Sequence, residues 1–356
     1  VAKASRKAKK DVIKVGIIGA GGIARGAHLP AYQKVPHVEV VAVADVVEEA
    51  AQSAAAQFNI PHVFTDFRKM LEMDEIDAVS VCTPNFLHAQ ASIAALEAGK
   101  HVLCEKPLAL NAKEGQAMVD AAKRTGKKLM CGLNNRLRSD AQALKRFAEA
   151  GYLGDVYYAR AQALRRRGIP GWGVFIDKEK QGGGPLIDIG VHILDLVLFI
   201  IGHPRPVAVS GQTYVKFGHR KDVVGLMGQW DTKKFTVEDF AVGLVRFENG
   251  MTLTLEASFC ANIEQREIFN FTILGDKGGC QLDPVKMFSE VNKTLIDMTP
   301  VYLPPVRTHE REIQLFVEAI REDKPVPIPA EEALIVTKIL DGIYESSEKG
   351  KEVFPL

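Results

Sequence analysis

The sequence predicts an α/β fold: an N-terminal doubly wound parallel sheet of the Rossmann type, then an α+β half on a mostly antiparallel open sheet. Three observations predict it. Short, nearly all-apolar runs alternate with helical patterns from residue 11 to about 134. A glycine turn joins the first run to the first helix. Beyond residue 134 the strands lengthen, alternate in polarity and meet at hairpin turns.

Residues 12–18 read as a parallel strand buried on both faces, because almost every position is apolar. A helix follows from Ile23, then a strand at 38–44 and an alanine-rich helix at 48–58. Short strands follow at 62–64, 78–82, 101–104 and 128–131, with helices between them. Such alternation implies right-handed crossovers and a parallel sheet. In the second half, Ser139 is expected to cap a helix ending near Gly151, followed by a strand at 155–162 and a helix at 187–201. Glu248-Asn249-Gly250 separates strands 241–247 and 252–257, a strong hairpin signal. Strands 269–274 and 279–282 flank Asp276-Lys277-Gly278, and helices at 309–322 and 331–349 close the chain. The chain therefore divides into a basic arm (1–10), a nucleotide-binding domain (11–134) and a second domain for substrate and self-association (135–356).

At 356 residues the chain is too long for one ordinary core and suits two domains. Net charge is +1 with 25% charged residues, so nothing argues for nucleic acid or a membrane surface as partner. No apolar run approaches the length of a membrane span, since Asp188, His192 and Asp195 interrupt 187–201. The arm carries Lys3, Arg6, Lys7, Lys9 and Lys10 with no apolar stretch behind them, unlike a secretory signal. It reads as a solvated tail, or, where ordered, as a segment docked on this or a neighbouring subunit. Five cysteines without a C-x-x-C pair point to a reducing compartment, hence the cytoplasm, and to no standard zinc site. Cys82, Cys104 and Cys131 lie near the ends of neighbouring strands and read as small buried hydrophobes.

The chemistry-bearing residues cluster at strand ends. Gly19-Ala20-Gly21-Gly22-Ile23-Ala24 fits G-x-G-x-x-A: Gly19 for the turn, Gly21 for backbone approach to a pyrophosphate, Ala24 for close packing of helix on strand. Asp45 ends the second strand, where a carboxylate accepts ribose hydroxyls and repels a 2′-phosphate; NAD is preferred over NADP. A helix-capping role is the alternative for Asp45. Thr83-Pro84-Asn85 and His88 follow the fourth strand, as a turn and helix start that also touch the cofactor. Glu105-Lys106-Pro107 follows the fifth strand, with Pro107 holding Lys106 extended toward the crevice. Asp188 and His192, four residues apart, share one face of an otherwise apolar helix behind Gly182-Gly183-Gly184, glycines expected to let backbone approach a ligand.

These motifs resemble the glucose-fructose oxidoreductase / inositol dehydrogenase (Gfo/Idh/MocA) family of NAD(P)-dependent sugar oxidoreductases, over about residues 11–356. The resemblance implies that Lys106, Asp188 and His192 form the catalytic group, with His192 as base at a near-neutral pKa. Asn134-Asn135-Arg136-Leu137-Arg138 and Gly171-Trp172 are similar to 1,5-anhydrofructose reductase, which implies that Asn134 and Trp172 reach the cofactor. His309 stands where that reductase uses tyrosine. Arg165-Arg166-Arg167 departs from the simplest pattern, and two readings stand: Arg165 and Arg167 as ligands of a substrate carboxylate or phosphate, or a solvated strand end. The expected activity is hydride transfer between a secondary alcohol of a sugar, glycoside or cyclic polyol and NAD, by a homodimer or homotetramer. An NADP-dependent keto-sugar reductase and a non-catalytic dinucleotide sensor on the same fold are the alternatives.

Overall fold

The computed structural model describes residues 11–354; the basic arm at 1–10, expected to dock when ordered, lies outside them. The first sheet holds β1 (Ile13–Ile18), β2 (Val38–Ala44), β3 (His62–Phe64), β4 (Ala78–Val81), β5 (His101–Glu105) and β6 (Leu129–Gly132). All pairings are parallel, in the order β3-β2-β1-β4-β5-β6. The order reverses between β1 and β4, and doubly wound sheets open a ligand crevice at such a point. Register decides what stands there. Ile18 lies beside both Ala44 and Val81, so Gly19, Asp45 and Cys82 leave the sheet side by side. Val81 lies beside Cys104, which brings Glu105 to the same edge.

The second sheet holds β7 (Val156–Arg165), β8 (Pro206–Tyr214), β9 (Phe240–Phe247), β10 (Thr252–Ser258), β11 (Glu267–Gly275), β12 (Gly278–Gln281), β13 (Lys286–Val291) and β14 (Thr294–Met298). Its order is β14-β13-β12-β11-β7-β10-β9-β8, with only β7 and β10 parallel among the described strands. Three strands go beyond the sequence reading. β8 opens on Pro206 and runs through Ser210-Gly211-Gln212, and β13–β14 is a polar edge hairpin, so neither shows a half-buried alternation. β7 continues past the expected end at residue 162 because Ala163 and Leu164 pair with both β10 and β11. That extension carries Arg165 to the site edge.

Helix Val191–Ile201 begins as a wider π-turn at Leu186–Gly190. The stretch 178–201 is long and apolar enough to cross a membrane by composition, but 78% of its most apolar window is buried inside the protein. It is the core helix that the second sheet packs on. Asp195 within it is fully buried and paired with Arg136, whose Nη2 donates at 2.6 Å and Nε at 2.9 Å. The Ser139 cap differs from expectation. Helix Ser139–Glu149 starts at Ser139 itself, and the hydroxyl donates instead to the carbonyl of Pro304.

Helix Ala330–Lys349 lies along β8 and also reaches the first half, where Asp341 accepts from Ala112 N at 2.6 Å. The covered face of the second sheet is Ala159, Ala161, Ala163, Leu253, Leu255 and Ala257, all buried. The opposite face is mixed. Val242 and Leu244 share it with Thr254, Gln162 and an Arg160–Glu256 ion pair at 3.0 Å, all at least partly exposed.

Candidate active site

The crevice is built from the glycine turn outward. Gly19 takes φ +96°, and a Cβ there would stand 2.7 Å from the carbonyl oxygen of Cys82, so the turn admits only glycine. Asp45 braces it: Oδ2 accepts from Ala20 N at 2.7 Å, and Oδ1 from Val47 N at 2.9 Å. The second bond closes a tight turn just ahead of helix Glu48–Phe58, whose N-cap is Val47 and has no side-chain cap, so Asp45 does not cap that helix; lone pairs remain for a ribose. Gly21 and Gly22 face open space, while Ala24 is fully buried under the helical turn Ala24–His28. Exposed Ile23 sits at the rim. The hydroxyl of Thr83 is buried without a partner. Open backbone at a helix start, a carboxylate at the end of β2 and an orphan hydroxyl beyond β4 fit a dinucleotide.

The loop after β4 is tied down on both sides. Asn85 Nδ2 donates to the carbonyl of Gln181 at 3.0 Å. Buried His88 sets its ring between the carbonyls of Pro107, 2.7 Å from Nδ1, and Thr83, 3.0 Å from Nε2. Burial lowers the His88 pKa, and a neutral imidazole donates from one nitrogen only, so one carbonyl accepts a hydrogen bond while both close round the ring and tie it to the two loops. Pro84 opens the short turn Asn85–Leu87.

Lys106 crosses to the second half. Its Nζ donates to the Asp188 carboxylate and to the Asp188 carbonyl, both at 3.0 Å. The other carboxylate oxygen faces Arg165 Nη1 at 3.8 Å. Burial works against ionisation of Asp188, but Lys106 and then Arg165 outweigh it and hold the carboxyl below its usual range. His192 stands one turn on, with Nδ1 buried and unpartnered. Burial, and then the charge of Lys106, push its pKa down to about 3. The near-neutral value expected from sequence is thus corrected: with the ring withdrawn from water beside a cation, the imidazole stays neutral throughout the working range.

The three glycines before Asp188 serve a different purpose from the one expected. A Cβ on Gly183 would stand 1.9 Å from the Tyr344 hydroxyl, and one on Gly184 2.3 Å from the Glu238 carbonyl. Protein, not ligand, fills that space. Buried Glu238 accepts from Gly184 N at 3.0 Å, Leu186 N at 3.1 Å and the Tyr344 hydroxyl at 2.8 Å, which fixes the turn carrying Asp188. The sequence shows Glu238 only as one acid before a strand, with no pattern to mark it.

Behind Lys106 lies a buried polar cluster in which sequence reasoning named Glu105, expected at the cofactor, but missed His28 and Glu312. Glu105 receives the Lys106 N–H at 3.1 Å and faces His28 Nε2 at 2.7 Å. Burial opposes the Glu105 charge, yet His28 and Lys106 prevail and hold it at about 2. Glu312, fully buried with both oxygens unpartnered, is driven well up by burial and by Glu105. His28, Glu105 and Glu312 bring their ligand atoms within 4.8 Å of one another, with the charge balanced by His28. Asn134 is buried beside them, its Nδ2 2.8 Å from His309 Nε2. Burial lowers the His309 pKa, and the ring lies close to both Glu105 and His192.

Two expected residues stand apart. Trp172 is 54% exposed and lines a cavity of about 700 Å³ with Trp230, Asp177 and Lys178, whose walls contain none of Lys106, Asp188 and His192. Arg167 is spent on structure: Nη1 donates to the carbonyls of Arg166 at 2.6 Å and Ala261 at 3.1 Å, and Nη2 to Asn262 Oδ1 at 2.6 Å. The five cysteines are all buried and unpaired.

Comparison with known proteins identifies the family. Residues 13–133 match a family described as "Oxidoreductase family, NAD-binding Rossmann fold", and residues 141–281 match the "GFO/IDH/MocA C-terminal domain". The chain belongs to the GFO/IDH/MocA oxidoreductase family. It is 38% identical over 342 residues to D-glucoside 3-dehydrogenase of Escherichia coli (strain K12), covering 96% of this chain and 97% of that enzyme. It is 32% identical over 286 residues to levoglucosan dehydrogenase of Pseudarthrobacter phenanthrenivorans, covering 75% of this chain and 72% of that one. A structure titled levoglucosan dehydrogenase, in complex with NADH and L-sorbose, superposes with a TM-score of 0.84 at 26% identity, over 97% of this chain and 99% of that chain.

Proposed function

We propose that this family member is a dehydrogenase that oxidises a secondary alcohol of a sugar, glycoside or cyclic polyol to the ketone, with NAD as partner. The observation that carries the reading is Lys106 Nζ, 3.0 Å from Asp188 and close to a His192 with unpartnered Nδ1, at the same sheet edge as the open glycine turn. We assign the dinucleotide to residues 11–134 and substrate recognition to 135–356. Gly19, Gly21, Gly22, Ala24, Asp45, Thr83 and Asn85 would hold the dinucleotide. When bound, its nicotinamide supplies the acceptor for the hydrogen that leaves carbon with both electrons. His192, unprotonated at working pH, takes the hydroxyl proton; its low pKa makes it a weak base, so the step leans on Lys106 and on departure of the hydride. Lys106 donates to the same oxygen and stabilises the charge growing there. Asp188, ionised, anchors Lys106. The test is a screen of inositols, aldoses, glycosides and sugar nucleotides for stoichiometric NADH formation. Dinucleotide binding without turnover of any of them would favour a sensor instead.

Asp45 supports NAD over NADP, because its carboxylate stands where a 2′-phosphate would be placed, and neither Val46 nor Val47 supplies a positive charge. The kcat/KM for NAD is expected to exceed that for NADP, and a clear NADP preference would overturn this reading of Asp45. The open face of the second sheet supports a homodimer or homotetramer, since Val242 and Leu244 lie on it with Tyr158 and Leu274 nearby. Sedimentation at micromolar concentration is expected to show more than one subunit, and a monomer would refute the assembly. Five unpaired cysteines suit a reducing compartment such as the cytoplasm.

A further inference from the structure

Past the end of β7 lies an open-mouthed cavity of about 440 Å³, lined by Arg165, Arg167, Gly168, Leu226, Met227, Arg266 and Glu267. Three guanidinium groups face one carboxylate. Arg167 is engaged by the carbonyls of Arg166 and Ala261 and by the side chain of Asn262. Arg165 has only long contacts, 3.5 Å to Glu267 and 3.8 Å to Asp188. Arg266 is exposed and makes no side-chain hydrogen bond or ion pair among the described residues. The other wall is apolar. Leu226 N donates to the Arg167 carbonyl at 3.0 Å and Gly171 N to the Met227 carbonyl at 3.1 Å, so the 226–227 strap is held against the cavity by backbone bonds. Arg165 touches both the cavity and the catalytic Asp188, and so joins this space to the site of oxidation.

We propose that this cavity is an anion subsite, in which Arg165 and Arg266 bind a phosphate ester or carboxylate carried by the sugar at a distance from the carbon oxidised. The proposal rests on the dehydrogenase reading above and adds the substrate class to it. Guanidinium groups suit both anions, because their paired N–H groups match two oxygens at once. A substrate anion here satisfies Arg266 and takes over the weakly held Arg165, leaving Asp188 to Lys106.

The test has a binding arm and a turnover arm. Calorimetry on the NAD-loaded wild type uses glucose 6-phosphate, glucuronic acid, methyl glucoside and inorganic phosphate as probes. At least one anionic sugar is expected to bind about tenfold or more tightly than methyl glucoside, the scale of one charge-assisted hydrogen bond. The two anionic sugars separate phosphate ester from carboxylate, and inorganic phosphate alone shows what the anion contributes without the ring. Arg266→Ala is expected to remove that advantage. Arg166→Ala, which loses an exposed charge bonded only to the Glu264 carbonyl, is expected to keep it. Equal affinity for neutral and anionic sugars, or an advantage that survives in Arg266→Ala, overturns the subsite. NADH formation is scored separately: oxidation of methyl glucoside with no anion preference leaves the dehydrogenase reading standing without the subsite. Anion binding that depends on Arg266 without oxidation of any sugar leaves the subsite standing without the reading.

Discussion

Replacing Lys106 with alanine is expected to lower kcat by about 10²–10³-fold, the usual effect of removing one donor from a developing oxyanion. Affinity for NAD is expected to change little, because the glycine turn, Asp45 and the Thr83 loop lie on other strand ends. The loss should fall on kcat more than on KM, since a donor that strengthens as charge develops acts on the transition state. The fold has reason to survive. Lys106 is half-buried, and its backbone N–H to Glu105 is untouched by the change. Near-wild-type kcat on the true substrate would remove Lys106 from the mechanism. A collapse of NAD binding with kcat intact would move it to the cofactor.

His192→Ala is expected to cost about 10²–10⁴-fold in kcat, the range for a lost general base. The pH dependence should change in a definite direction. In the wild type the imidazole is deprotonated above about 3, so it contributes no acid limb between pH 5 and 8 as measured on kcat/KM. In the variant the hydroxyl proton must leave to water or hydroxide, and the residual rate should climb with pH. The two profiles therefore converge at high pH. A wild-type rate that falls as pH drops through 6–7, with that limb absent from the variant, would show a His192 pKa near neutrality in the loaded enzyme and contradict the burial argument.

Much of the site was legible because strand ends in a doubly wound sheet are legible. Once β1, β2, β4 and β5 are placed by their apolar runs, Gly19, Asp45, Thr83 and Lys106 must emerge at one edge. Asp188 and His192 were legible from polarity, as two polar side chains at helical spacing in an apolar segment. The purpose of the glycines before them was not, because Tyr344 and Glu238 come from 160 and 54 positions further along, counted from Gly184. The protonation states of His28, Glu105 and Glu312 were not legible either. They depend on how much water and which charges surround each group, and periodicity carries no information on that. Trp172 shows the opposite case: a local likeness suggested contact with the cofactor, while the fold turns the ring into a cavity apart from Lys106.

The bond from Asn85 to the carbonyl of Gln181 has a consequence of another kind. It fastens the loop that faces the dinucleotide to the residue just before the glycine turn, two turns of chain ahead of Asp188. On the proposed function, an adjustment of that loop when the dinucleotide binds would be passed through this bond to the turn that carries Asp188. Thermodynamic linkage makes the traffic two-way: whatever factor NAD applies to sugar affinity, the sugar must return to NAD. On that reading cofactor and sugar would share one element, and each affinity would depend on whether the other site is filled.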